Sequence, residues 1–508
     1  MNMNHLKRTK IVATCGPSLT QKIWTLGDLK DPKNKELVKK AYENIENVIR
    51  NGVTTIRLNF SHGSQEEQLI RIQIVREVSK KLQIPVSIML DTQGPEIRVG
   101  KIVDEGCKIN AKDLVEIYTS KVIVGSKNKF YASDSTGKYN MINDLKVGST
   151  ILVDDGKLNL TVKKLDKKLN IITCEAKNTH TITSRKRINL PNAHYSIPFL
   201  SQKDENDILF GIKNNVDYLA LSFVNTVKDI KQVKEILKKN NAEHIKIISK
   251  IESTHAINNL DAIIDASDAI MVARGDLSLE IPYYVVPYWQ RYIIKACRDK
   301  NKQVIVATQM LDSLEKNIHP TRAEVTDVYF AVDRGTDATM LSGETANGLY
   351  PLVAVEVMNL IDKQSEISFD YERAINYYFP KTKLSKTKFG KLVLDVAKKV
   401  CPKRNVSNAD FKYDFIVHFT NDLNEIKTLS NIRPAAGVII ITDNDQIYTG
   451  HGIDYGIFTY KVENLKNAKK DWKEVSLAAI NKYKKFGIIK SKLPNLVLVN
   501  NKIVNLKG

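Results

Sequence analysis

Short β-branched apolar runs recur along the chain with helical segments between them, at residues 10–14, 54–58, 86–90, 218–223, 246–251, 269–273, 303–307 and 338–341. Strands buried on both faces read as continuous apolar runs, so eight of them alternating with helices predict an α/β fold built on a (β/α)8 TIM barrel. The third and fourth runs lie too far apart for a single intervening helix. From Gly94 to Pro191 the pattern becomes one of short alternating segments, at 114–118, 150–153, 158–162 and 171–175, with turn signals such as Asp155-Gly156. That predicts an inserted all-β domain, and an insertion following a barrel strand emerges on the catalytic rim. Beyond Asp362 a polar, Lys-rich linker near 381–388 leads to a helix and then to runs at 415–418, 437–441 and 496–499. The expected division is a barrel at 1–93 and 192–362, a β-barrel-like lid at 94–191, and a C-terminal α/β domain at 363–508 for regulation or oligomerisation.

A chain of 508 residues has room for two or three domains with ample core. The formal net charge of +20 raises a nucleic-acid reading, but the Lys residues are scattered and form no basic tail or aromatic-interleaved motif. A solvated basic surface that attracts anionic substrates is the expectation, with no specific nucleic-acid partner. The five cysteines, Cys15, Cys107, Cys174, Cys297 and Cys401, are odd in number and widely spaced, which argues against a disulfide framework or zinc site and for a cytoplasmic location. Neither an apolar export segment nor a run of about 18 apolar residues is visible, so no membrane association is expected.

In a barrel the chemistry gathers at the carboxyl ends of the strands, and these are rich in polar groups here. The fifth run ends in Ser249-Lys250-Ile251-Glu252, which puts an ammonium and a carboxylate two residues apart and on one face. Arg57, Arg98 and Lys250 are suited to phosphate oxygens. Glu252 and Asp276 are hard oxygen donors for a Mg²⁺ that keeps positions for substrate and water. Asn59, Ser61, Asp91 and Thr92 offer the mixed oxygens of a weakly held monovalent cation. Gly275 permits close approach of an anion to backbone N–H groups. Read singly, these residues are also ordinary caps, turns and ion pairs. Asp154-Asp155-Gly156 has the composition of a turn.

Taken together and in order, Ile56-Arg57-Leu58-Asn59-Phe60-Ser61-His62-Gly63, Leu90-Asp91-Thr92-Gln93-Gly94-Pro95-Glu96-Ile97-Arg98, Ile248-Ser249-Lys250-Ile251-Glu252, Met271-Val272-Ala273-Arg274-Gly275-Asp276-Leu277, Ala307-Thr308-Gln309-Met310 and Met340-Leu341-Ser342-Gly343-Glu344-Thr345-Ala346 closely resemble the pyruvate kinase family. The match spans residues 8–360 well and the C-terminal region loosely, mainly at Arg433-Pro434. The resemblance implies phosphoryl transfer from phosphoenolpyruvate to ADP, giving pyruvate and ATP at the last step of glycolysis, with Mg²⁺ (or Mn²⁺) and K⁺ as cofactors. It implies catalytic roles for Lys250, Arg57 and Thr308, the last on the side where the enolate is protonated. It further implies substrate contacts from Gly275, Asp276 and Ser342, nucleotide contacts from Arg57, Arg98, His62 and Lys203, a divalent site at Glu252 and Asp276, and a K⁺ site at Asn59, Ser61, Asp91 and Thr92. Lys250 and Glu252 then read as two separate clamps rather than as partners.

In the family, Glu at the position of Glu96 accompanies K⁺ dependence. Gln93 and Ser278 depart from its usual Lys and Gly. Where relatives cradle a sugar bisphosphate, this chain has Thr420-Asn421-Asp422-Leu423-Asn424-Glu425, whose two carboxylates would repel phosphate. Activation by fructose 1,6-bisphosphate is therefore not expected, whereas a homotetramer is. The alternatives are a phosphoenolpyruvate/pyruvate barrel lyase and a catalytically decayed binding protein.

Overall fold

The computed structural model describes residues 5–507 apart from 135, 194–195, 403–410, 488, 490 and 501. Eight strands close into a parallel barrel: β1 (Lys10–Thr14), β2 (Val53–Asn59), β3 (Ser87–Asp91), β4 (Tyr218–Leu221), β5 (Lys246–Ile251), β6 (Ala269–Ala273), β7 (Gln303–Ala307) and β8 (Ala338–Leu341). β1 pairs with both β2 and β8, which completes the ring. β4 ends two residues before the apolar run does, because Phe223 turns out of the strand with a φ of 55°.

Side chains fill the barrel interior, among them Val12, Met89, Tyr218, Ile248, Met271, Ile305 and Met340. One member of this layer, Ile453, comes from the C-terminal domain. The loop that carries it is pressed against the barrel base: the Tyr218 hydroxyl donates to the Gly450 carbonyl at 2.9 Å and the Gly452 N–H to Ser87 Oγ at 3.0 Å. A Cβ at Gly452 would collide with Thr55 and Ser87, so only glycine fits there. Arg433 adds a buried ion pair to Asp337 at 2.7 Å. The C-terminal domain is thus bolted to the face of the barrel opposite the catalytic rim. Its parallel strands Ile457–Lys461, Gly437–Thr442, Phe415–Phe419 and Asn495–Val499 end in an antiparallel edge, Lys502–Leu506.

The insertion after β3 forms a second closed barrel of seven strands with its own core, which includes Val115, Phe130, Ile151, Val162 and Ile172. The chain enters it at Gly94 (φ 71°), where a side chain would strike Ser222. The Gly94 N–H donates to Asp204, and Asp204 and Ser201 cap each other at the start of helix Gln202–Lys213 on the return path. Both ends of the insertion are therefore anchored at one point of the rim.

Ring closure is tied by Glu366, on the last barrel helix, Pro351–Ser368. One of its oxygens accepts from the backbone N–H groups of Arg8 and Thr9 at 2.8 and 2.6 Å, and the other pairs with Arg8 Nε at 3.1 Å. Burial opposes ionisation of this carboxyl, but Arg8 and then His5 outweigh it and hold it at about 2. Glu366→Ala strands a buried guanidinium, and a loss of about 3–5 kcal/mol at pH 7 is expected in denaturant unfolding. Because the folded-state pKa lies below the ordinary value, this contribution is complete above pH 4.5 and fades as pH falls toward 2. The gap between wild type and variant should narrow accordingly.

Candidate active site

One cavity opens where the carboxyl ends of β2 to β6 meet the lid. Its walls are Arg57, Asn59, Ser61 and His62, then Gln93, Glu96 and Arg98, then Ser222 and Phe223, then Lys250, Glu252 and Asp276, with Asp154, Asp155, Arg185, Lys186 and Arg187 from the lid. Behind the wall lies Asp91, fully buried. One of its oxygens accepts from Arg57 Nε at 2.6 Å and the other from Lys250 Nζ at 3.0 Å. Arg57 also donates to Thr14 Oγ1 at 2.9 Å, and Lys250 to Ser222 Oγ at 2.7 Å. Burial works against a charged Asp91, yet Arg57 and Lys250 prevail and hold its carboxyl below the ordinary value. Burial likewise works against the Lys250 ammonium, but Asp91 and then Glu252 hold its pKa above the ordinary value.

Lys250 and Glu252 are partners after all: Nζ lies 3.0 Å from Glu252 Oε1. The approach misses hydrogen-bond geometry, so this oxygen is buried with no hydrogen-bond partner among the described residues. The other oxygen accepts from the Phe223 N–H at 2.7 Å. Burial pushes the Glu252 carboxyl up to about 7, with Lys250 pulling it down and Asp276 pushing it further up. A buried carboxylate oxygen lacking a donor, beside a second carboxylate, suits a divalent cation. Among the described residues no cluster of three or more His, Cys, Asp or Glu side chains forms.

Asp276, the second carboxylate, stands in the first turn of helix Arg274–Glu280, which begins directly at the end of β6. It is paired at 2.5 Å with Arg187 of the lid. The Gly275 N–H, expected to hold a substrate carboxylate, donates instead to Thr308 Oγ1 at 2.7 Å, and that hydroxyl donates to the Ala307 carbonyl at 2.6 Å. Thr308 has a φ of 68° and Gln309 one of 49°. For a β-branched residue this is stored strain, of the kind that clusters at active sites.

The other expected residues divide between the cavity wall, with Asn59, Ser61, His62 and Arg98, and its surroundings. Arg98 is held by Glu96 through contacts of 3.0 and 2.6 Å, with Gln93 donating to the same oxygen at 3.1 Å. Lys203 donates to the Phe60 carbonyl at 2.7 Å and pairs with Asp207, outside the cavity wall. Ser342 is set at the end of β8 with its N–H on Glu344 at 2.7 Å. Of the K⁺ set, Asn59 and Asp91 face each other across β2 and β3, but Asp91 is engaged by two side-chain cations, Asn59 Oδ1 accepts from the Ser61 N–H, and Thr92 Oγ1 accepts from the Ser222 N–H. His62 lines the wall with its pKa lowered by burial and then by Arg98. Asp154 and Asp155 form the expected turn, with φ of 54° and 55°, and they also face the cavity.

A family model described as pyruvate kinase, barrel domain, matches residues 6–355. The chain belongs to the pyruvate kinase family. It is 60% identical over 507 residues to a pyruvate kinase of Mycoplasma pneumoniae, covering 99% of this chain and all of that one, and 58% identical over the same span to a pyruvate kinase of Mycoplasma genitalium. A crystal structure of a pyruvate kinase from Cryptosporidium parvum superposes with a TM-score of 0.83 at 31% identity, over 99% of this chain and 96% of that one. The chain is accordingly a pyruvate kinase-type phosphotransferase acting on phosphoenolpyruvate and ADP, and the lyase alternative is set aside. Among the described residues no helix is long and apolar enough to cross a membrane.

The residues missed in the sequence are Ser222, Phe223 and the lid's Arg185, Lys186 and Arg187. The basic run at 185–187 was a legible signal. Its position over the cleft was not. Ser222 orients the Lys250 ammonium from one side, so Ser222→Ala should lower turnover by about tenfold in a steady-state assay of pyruvate formation, with a cooperative thermal transition still showing a folded enzyme.

Proposed function

We propose that the pyruvate kinase reaction runs on Lys250, Arg57, Glu252, Asp276 and Thr308, with residues 94–191 as a lid that excludes water. The observation that supports this most is the Lys250 ammonium, fixed by Asp91 and Ser222 at the wall of the cleft, beside a buried carboxylate oxygen with no hydrogen-bond partner among the described residues. Phosphoryl transfer needs positioned cations more than covalent chemistry. Lys250 would stabilise the moving phosphoryl group and Arg57 would share its charge. Glu252 and Asp276 would hold Mg²⁺ (or Mn²⁺), which when bound offsets charge on the phosphate oxygens. Thr308 lies on the side where the enolate is protonated. Its own proton is engaged by the Ala307 carbonyl, which favours alignment of a water over direct donation.

K⁺ would be taken by Asn59, Ser61, Asp91 and Thr92, with Asp91 sharing an oxygen among cations. Glu96 leaves no lysine there to replace the ion. His62, Arg98 and Lys203 form the nucleotide side. In the C-terminal domain Glu425 fills the place where an effector phosphate would need donors: its carboxylate accepts from Thr420 Oγ1 at 2.5 Å and meets His418 Nε2 at 2.8 Å. We expect no activation by fructose 1,6-bisphosphate. The exposed aromatic side chains Tyr283, Tyr284, Tyr288 and Tyr292 offer a face for a second copy, in keeping with a cytoplasmic homotetramer.

A coupled assay of pyruvate formation tests this reading. Lys250→Met should abolish turnover, removal of K⁺ in favour of bulky organic cations should stop the wild type, and fructose 1,6-bisphosphate should leave its apparent substrate constant unchanged. An active Lys250→Met would remove the centre of the reading.

A further inference from the structure

Of the lid residues on the cavity wall, Arg187 makes an ion pair with the proposed divalent site. Arg187 leaves the short strand Arg187–Asn189, which pairs with Ile97–Val99 at the lid's barrel-facing end. Its Nη1 lies 2.5 Å from Asp276 Oδ1, its Nε 3.9 Å from Glu96, and its guanidinium stacks 4.8 Å from the centre of the Phe223 ring. Phe223 has a left-handed backbone and gives its N–H to Glu252. A single residue therefore supports the guanidinium that pairs with Asp276 and fixes Glu252, the other carboxylate of the pair.

We propose that Arg187 is a lid-borne counter-cation that competes with the divalent ion for Asp276, so that metal binding and this lid contact exclude one another. The inference rests on the reading of Glu252 and Asp276 as the divalent site. A partly buried carboxylate requires a cation, and here the lid supplies one with a planar fork that a metal must displace. Coupling between the two is reciprocal: whatever the contact contributes to holding the lid down, it subtracts from the affinity for the metal.

The test is Mn²⁺ binding by the full-length, substrate-free enzyme, read as free Mn²⁺ by electron paramagnetic resonance, together with hydrogen exchange at residues 184–189. Arg187→Gln should tighten Mn²⁺ binding by about tenfold, the scale of one charge-assisted contact. Arg187→Lys should fall between that variant and wild type. In wild type, saturating Mn²⁺ should speed exchange at 184–189; in Arg187→Gln exchange should be fast already and indifferent to Mn²⁺. Glu252→Gln separates the two levels of the argument. If it weakens Mn²⁺ binding while Arg187→Gln leaves it unchanged or weaker, the competition is overturned and the metal site stands. If Glu252→Gln has no effect on Mn²⁺ binding, the metal site and the competition fall together.

Discussion

Asp91, fully buried at the end of β3, holds Arg57 by one oxygen and Lys250 by the other, and the arrangement of the site follows from this. Two cations that would repel each other are brought to one wall of the cleft because a carboxylate lies between them. Each has a second anchor, Thr14 for Arg57 and Ser222 for Lys250, so neither is free to swing onto Asp91 alone. A loose pair would give up the preorganisation on which electrostatic catalysis depends. Asp91 is in turn fixed by backbone: it ends a strand paired in register with β2, and its carbonyl accepts from the Phe60 N–H at 3.0 Å.

Around that centre the rim is built from strained or tightly fitted turns. Phe223, Thr308 and Gln309 all take left-handed backbone conformations directly after β4 and β7, and each turn presents a group to the site or its support. The cost is borne by a barrel whose inner layer is completed from below by Ile453 of the C-terminal domain. Opposite faces of one barrel thus do different work: the carboxyl ends carry chemistry, while the base is locked to its neighbour by Gly452 and by the Arg433–Asp337 pair. Arg433, in the Arg433-Pro434 match that was faint in the sequence, is part of that lock.

The barrel was legible because parallel strands covered on both faces must be apolar without interruption, and β1, β5, β6, β7 and β8 coincide with the runs that suggested them. In the lid, the alternating segments were visible where strands are long enough to alternate, as at Leu158–Asp166 and Ile171–Ala176. Ile97–Val99 and Arg187–Asn189 were not, since a strand of three residues is too short to show a period. Yet those two strands deliver Arg98 and Arg187 to the cleft. Side-chain partners across the fold were equally hidden. No local pattern reveals that Gly275 would give its N–H to Thr308 or that a lid arginine would reach a carboxylate 89 positions away in the chain.

The most direct measurement is the turnover of Asp91→Asn, a change that keeps size while deleting the charge between the two cations and replacing one of its two acceptor oxygens by a donor. If Asp91 organises the site, pyruvate formation should fall by about a hundredfold or more, with the thermal transition showing a folded enzyme. Turnover within about twofold of wild type, the margin expected of a substitution that touches no catalytic group, would contradict it.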